Sequence, residues 1–249
     1  MLKDEELLRY SRQIMLPELD IAGQEKLRAA TVLVVGVGGL GSPVAMYLAA
    51  AGVGKLILVD HDQVDLSNLQ RQIAHTTDRI GASKVASAQN TLQSLNPHCE
   101  VVALPVKLDE QNAAEWVSGC QVVVDCSDNF AVRFLLNRLS VKYRVPLVSG
   151  AAIRLDGQVS VYDPRQESSP CYRCLFDETG EEDLRCTTNG VLAPLVGLVG
   201  SIQATEAIKV LCGLGQPLTG KLLIVDALTM QFRSVKLKKN PACEVCGNP

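Results

Sequence analysis

The stretch from Thr31 to Lys84 restricts the fold of this chain more than any other. Thr31-Val-Leu-Val-Val is an apolar, β-branched run, the composition of a strand covered on both faces. It passes without a break into Gly36-Val-Gly38-Gly39-Leu-Gly41, and a small-residue helix follows from Ser42. A second apolar run, Lys55-Leu-Ile-Leu-Val, ends on Asp60. The glycines permit a tight turn and close backbone approach, so N–H groups at the helix start can meet a phosphate. An acid closing the second strand, Asp60, is placed to accept from ribose hydroxyls; Asp62 lies in the same acidic turn. An ordinary dinucleotide site needs neither of the cations downstream, Arg71 in Ser67-Asn68-Leu-Gln-Arg71-Gln and Lys84 in Ser83-Lys-Val-Ala.

From Thr31 onward strands and helices alternate. Strands are expected near 31–36, 55–60, 100–106, 121–126 and 146–150, with helices near 40–52, 82–95, 109–118 and 129–143. Alternating runs at 158–162, 220–226 and 229–237 read as antiparallel strands, and a long apolar helix is expected from about Val191 to Leu211. Residues 4–12 and 18–30 read as amphipathic helices broken at Pro17. The fold class is therefore α/β: a Rossmann-like, doubly wound, mostly parallel sheet extended by antiparallel strands. One domain over 1–249 is expected, with N-terminal helices in 1–30, a nucleotide-binding core in 31–150, and the added strands, a loop, the long helix and the C-terminus in 151–249.

A net charge of −3 over 249 residues gives no electrostatic footprint for nucleic acid or an anionic membrane. The opening Met1-Leu-Lys-Asp-Glu-Glu is acidic and not a secretory signal, and no apolar run approaches the roughly 20 residues of a membrane span. A cytoplasmic location is expected.

Of nine cysteines, four form two C-x-x-C pairs, Cys171-Tyr-Arg-Cys174 and Cys243-Glu-Val-Cys246. This spacing suits a tetrahedral metal, with Zn²⁺ the leading candidate and a redox pair or disulfide the alternatives. Four thiolates leave no open ligand position, so such a site would be structural and would pin the C-terminal tail to the body. Cys186 stands outside both pairs, in polar surroundings before the long helix, a setting that can lower a thiol's pKa. The acidic stretch from Asp177 carries no apolar period and reads as a surface loop.

Asp125-Cys-Ser-Asp128-Asn129 follows an apolar strand, at the carboxyl end where open α/β sheets place ligands. Asp128 could hold Mg²⁺ against nucleotide phosphates, or it could cap the helix that begins at Asn129. Lys84 opposes the dipole of the helix it opens, which makes it a functional candidate; with Arg71 it could neutralise a triphosphate. Only three histidines are present and no Gly-x-Ser-x-Gly elbow appears, so a nucleophile that is already ionised is favoured. A peptide C-terminal carboxylate, with a pKa of about 3.5, is one.

Taken in order, these motifs resemble the MoeB/ThiF/HesA family, bacterial relatives of the ubiquitin-activating enzymes. The likeness extends to Leu8-Arg-Tyr-Ser-Arg12-Gln-Ile, Val148-Ser-Gly-Ala-Ala-Ile-Arg154 and Asn240-Pro-Ala-Cys243. The resemblance implies ATP-dependent adenylation of the C-terminal glycine of a ubiquitin-like sulfur carrier ending in Gly-Gly, of MoaD or ThiS type. By the same resemblance, Gly36, Gly38, Gly39, Gly41, Asp60, Asp62, Asn68, Arg71, Lys84, Asp128 and Asn129 surround ATP and Mg²⁺. Arg12 reaches the phosphates of the partner subunit in a homodimer, Cys171, Cys174, Cys243 and Cys246 bind zinc, and a separate protein donates sulfur. Phrases such as Asn96-Pro-His and Gly157-Gln-Val favour a MoaD-type carrier. In the ThiS-activating branch the position of Cys186 forms a covalent link, but Thr187 follows it here where that branch has arginine. Two other readings remain at this stage: a nicotinamide-dependent oxidoreductase, which leaves Arg71, Lys84 and Asp128 unused, and a non-catalytic adaptor.

Overall fold

The computed structural model describes residues 2–177 and 190–247. Eight strands form one sheet in the order β3-β2-β1-β4-β5-β6-β7-β8. They are β1 (Thr31–Val35), β2 (Lys55–Val59), β3 (Glu100–Leu104), β4 (Val122–Asp125), β5 (Leu147–Ile153), β6 (Asp156–Tyr162), β7 (Lys221–Asp226) and β8 (Gln231–Lys236). β3 to β5 are parallel, and β5 to β8 are joined by antiparallel pairs, as the sequence predicts. Chain order reverses between β1 and β4, which opens a crevice at their carboxyl ends.

Helices are α1 (Asp4–Arg9), α2 (Ser11–Ile14), α3 (Asp20–Ala29), α4 (Gly41–Ala50), α5 (Lys84–Leu95), α6 (Ala113–Ser118), α7 (Phe130–Tyr143) and α8 (Ala193–Cys212). Alternation along β1 divides the core. Val32 and Val34 face a cluster with Leu48 of α4, Leu92 of α5 and Val199 of α8. Leu33 and Val35 face the other side, with Val117 of α6 and Phe134 and Leu136 of α7. Both faces of the central strands are thus dry, which is why those strands are continuous apolar runs.

Three boundaries differ from expectation by more than two residues. The first N-terminal helix is interrupted at Tyr10 as well as near Pro17, and the buried Tyr10 hydroxyl accepts from Asn96 Nδ2 at 2.8 Å. α6 starts at Ala113, not 109, because the Asp109 carboxylate takes the N–H groups of Gln111 and Asn112 in a local turn. β5 runs on to Ile153 because β6 pairs with it along its whole length. The expectation that no segment matches a membrane span is also corrected, since α8 is 20 residues and apolar enough by length and composition. Half of the residues of that helix are buried, and it packs on α4, β5 and β6 as a core element.

Candidate nucleotide site and cysteine cluster

A cavity of about 500 Å³ opens at the crevice between β1 and β4. Its floor is the glycine turn. Gly36 has φ +86°, a backbone conformation natural to glycine, and a Cβ there would press on the Cys126 carbonyl at 2.8 Å. A Cβ on Gly41 would come within 1.9 Å of the Gly36 carbonyl oxygen, so the first turn of α4 closes onto the loop only without a side chain. The Val37 peptide is held from both ends. Its N–H donates to Asp60 Oδ2 at 2.8 Å, and its carbonyl lies 3.0 Å from Nε2 of the buried His75. Because a carbonyl only accepts, Nε2 carries the proton and Nδ1 accepts from Ser87 Oγ at 3.0 Å. Burial lowers the pKa of His75, in keeping with this neutral form.

Gly36, Gly38, Gly39, Asp60, Asp62, Arg71, Lys84, Asp128 and Asn129 all line this cavity. Lys84 is 6% exposed, and its Nζ donates to Asp62 Oδ2 at 2.8 Å. Burial pushes the Asp62 carboxyl up, but the hydrogen bond and charge of Lys84, with His61, hold it below its ordinary value. The cation at the start of α5 is therefore stabilised by a carboxylate on the adjoining turn, whose backbone also accepts the Lys84 N–H at 3.0 Å, and both side chains line the cavity. Arg71 is tethered by a 3.0 Å bond from Nη1 to the Ser67 carbonyl.

α7 is capped by Asn129, whose Oδ1 accepts from the Val132 N–H at 3.2 Å. Asp128 is thus not the cap. It is exposed, lines the cavity and makes no hydrogen bond among the described residues. Gly41 lies beneath the cavity wall, and Asn68 sits one turn before Arg71 without lining it. Arg12 is exposed on α2 beside Met15, outside the cavity of its own chain. Cys186 lies outside the described residues, as does most of the expected loop.

Several residues that line or support the cavity have no counterpart among the sequence expectations. Arg133 is nearly buried in the first turn of α7, donating to the Ser127 carbonyl at 2.7 Å and facing Asp125 at 3.9 Å. Its opposition to a helix dipole is the signal that picked out Lys84, and the same test finds it. Gln203 of α8, fully buried, donates to the Asp125 carbonyl at 2.8 Å and so fixes the end of β4; nothing in its local sequence announces that. The cavity continues past Phe176 to Asp156, Gly157 and Gln158 on β6 and Ile224 on β7, an outlet along the antiparallel strands.

The paired cysteines meet beside the middle of α7, where Asn137 contacts Cys171. All four are free thiols, with Sγ···Sγ separations of 4.0 Å for Cys171–Cys174, 3.7 Å for Cys171–Cys243 and 3.4 Å for Cys174–Cys246. Four sulfurs within 4.8 Å of one another, from segments far apart in sequence, make a cluster able to hold a metal ion.

The ThiF family model matches residues 10–245. A molybdopterin-synthase adenylyltransferase of Salmonella typhimurium is 51% identical over 246 residues, 99% of this chain and 98% of that one. A sulfur carrier protein adenylyltransferase of Thermus thermophilus is 47% identical over 98% of this chain and 92% of its own. The crystal structure of Escherichia coli MccB with ATP superposes with a TM-score of 0.84 at 24% identity, over 96% of this chain and 75% of that one, a likeness of fold. The strand order, the glycine crevice and the match over nearly the whole length lead to one conclusion: this chain belongs to the ThiF family.

Proposed function

We propose that this chain is an adenylyltransferase that activates the C-terminal glycine of a ubiquitin-like sulfur carrier of MoaD type, releasing pyrophosphate. The observation that carries the reading is the convergence of Asp60, Arg71, Lys84 and Asp128 on one cavity that runs out onto β6 and β7. A triphosphate needs cations, a ribose needs an acceptor, and an extended peptide tail needs a route in. All three are supplied by one crevice.

In this reading Asp60 accepts from the ribose, the glycine turn and the N-terminus of α4 meet the phosphates, and Arg71 and Lys84 neutralise them. The carrier tail enters past Asp156–Gln158 with its carboxylate already ionised, so no general base is required. A carboxylate oxygen forms a bond to the α-phosphorus as the α–β phosphoanhydride bond breaks, and the electron pair leaves with pyrophosphate. Asp128, with its carboxylate open to the cavity, fits a Mg²⁺ ligand, and such an ion would lower the charge barrier at the phosphates. Asn68, one turn before Arg71, and Arg12, from the second subunit of a homodimer, complete the phosphate contacts.

The cysteine cluster fits zinc. Tetrahedral coordination with Zn–S bonds of about 2.3 Å places sulfurs about 3.8 Å apart, and the three separations given above, 3.4, 3.7 and 4.0 Å, lie on either side of that value. Its role here is to fasten the C-terminal segment to the body of a single adenylation domain. The carrier adduct would then go to a separate sulfur donor in the cytoplasm.

The test is Mg²⁺-dependent exchange of labelled pyrophosphate into ATP in the presence of carriers ending in Gly-Gly. Exchange with a MoaD-type carrier is expected, with less from a ThiS-type one. The absence of exchange with every such carrier overturns the reading, and a ThiS-type preference transfers it to thiamin carriers.

A further inference from the structure

The cysteine cluster and the nucleotide cavity lie at two ends of one buried apparatus. Asn137, 1% exposed near the middle of α7, accepts the Tyr172 N–H on Oδ1 at 2.8 Å and donates from Nδ2 to Cys171 Sγ at 3.6 Å. It therefore holds the peptide corner that presents two of the four sulfurs. One turn earlier on the same face, Arg133 donates to the Ser127 carbonyl and faces Asp125, and Asp128 contributes to its electrostatic surroundings. Tyr172 fills the space between these levels. Its ring packs edge-on against Phe134 at 5.3 Å and stacks on Phe176 at 4.5 Å. Its buried hydroxyl lies beside the Arg133 guanidinium without a well-aligned hydrogen bond. Phe176, two residues beyond Cys174, is itself a wall of the cavity.

From this geometry we infer that α7 couples the cysteine cluster to the nucleotide cavity, with Asn137 and Arg133 as positioning residues and Tyr172–Phe176 as the packed link. The inference rests on the nucleotide reading of the cavity given above. A metal that draws Cys171 and Cys174 together fixes the Tyr172 corner. That corner sets the Phe176 wall and the guanidinium that holds the Ser127–Asp128 loop. The cluster thereby acts on ATP as well as on the tail it fastens. Packed interiors transmit such constraints because their side chains have few alternative arrangements.

Coupling of binding sites is reciprocal, so the experiment can be done on the intact wild-type protein. The zinc-loaded protein is titrated with a colorimetric chelator, with and without saturating α,β-methylene-ATP, and nucleotide binding is measured by equilibrium dialysis. The nucleotide is expected to tighten zinc retention at least about fivefold, the low end of ordinary coupling. In Asn137→Ser, with all four cysteines intact, that difference is expected to fall below about twofold. A merely structural Asn137 would weaken zinc equally with and without nucleotide. Equal zinc affinity in both conditions, with nucleotide bound, overturns the coupling. If the dialysis detects no nucleotide binding at all, the nucleotide assignment itself fails.

Discussion

The two halves of the sheet are built on opposite terms. In the parallel half, Val32–Val35 and Val122–Asp125 are buried without exception, and the site sits where those strands stop. In the antiparallel half, β8 is exposed at all six positions, and its outer edge pairs with no strand among the described residues. Leu228, Met230, Phe232 and Val235 stand largely in solvent along that hairpin. The contrast separates two jobs. In the proposed reading, strands covered on both faces give the nucleotide a fixed floor, and the open edge with apolar side chains is where the carrier protein would dock.

That division can be broken experimentally in a graded way. The largest effect is expected at the floor. Gly41→Ala forces a methyl group into the Gly36 carbonyl and should destabilise the fold by about 3 kcal/mol and remove nucleotide binding, as read by urea unfolding and equilibrium dialysis. A matched pair then compares the halves directly. Leu33→Ala in β1 should cost about 3 kcal/mol of stability, while Phe232→Ala in β8 should stay within about 0.5 kcal/mol and raise the KM for the carrier without changing that for ATP. Equal costs for the two would remove the distinction.

Within the site, Arg71→Ala and Lys84→Ala should each lower pyrophosphate exchange by about a hundredfold, the usual loss when one transition-state donor is removed. Near-normal exchange in both would take these cations out of the chemistry. The smallest effect concerns acid. Because the folded carboxyl of Asp62 titrates below its ordinary 3.8, the Lys84 pair adds stability above that pH and loses it as pH falls through the lower folded value. Urea midpoints of wild type and Asp62→Asn should therefore differ near neutrality and converge only below about pH 4. A gap that closes between pH 7 and pH 5 would assign the effect to another group.

What could be read from the chain alone was whatever depends on neighbours in sequence. The glycine turn, the acid closing β2, the two C-x-x-C pairs and the strand–helix alternation each follow from local sterics, ligand spacing or periodicity. Even so, local rules misjudged the start of α6, where an aspartate side chain competed for the backbone, and the length of β5, which a partner strand extends. Asp128 could be read as cap or ligand until Asn129 was seen to occupy the cap.

Folding alone decided which distant groups share a cavity. Lys84 finds Asp62 at the cavity, Gln203 reaches Asp125 from a helix far along the chain, and Asn137 meets Cys171 in the interior. Buried polar groups are tolerable only when they are paired, and the partner is chosen by packing geometry that has no local signature. The sequence by itself determined the fold class and the chemical kinds of group available. The tertiary structure decided their convergence, because only a closed interior removes water and leaves each charge to be stabilised by another.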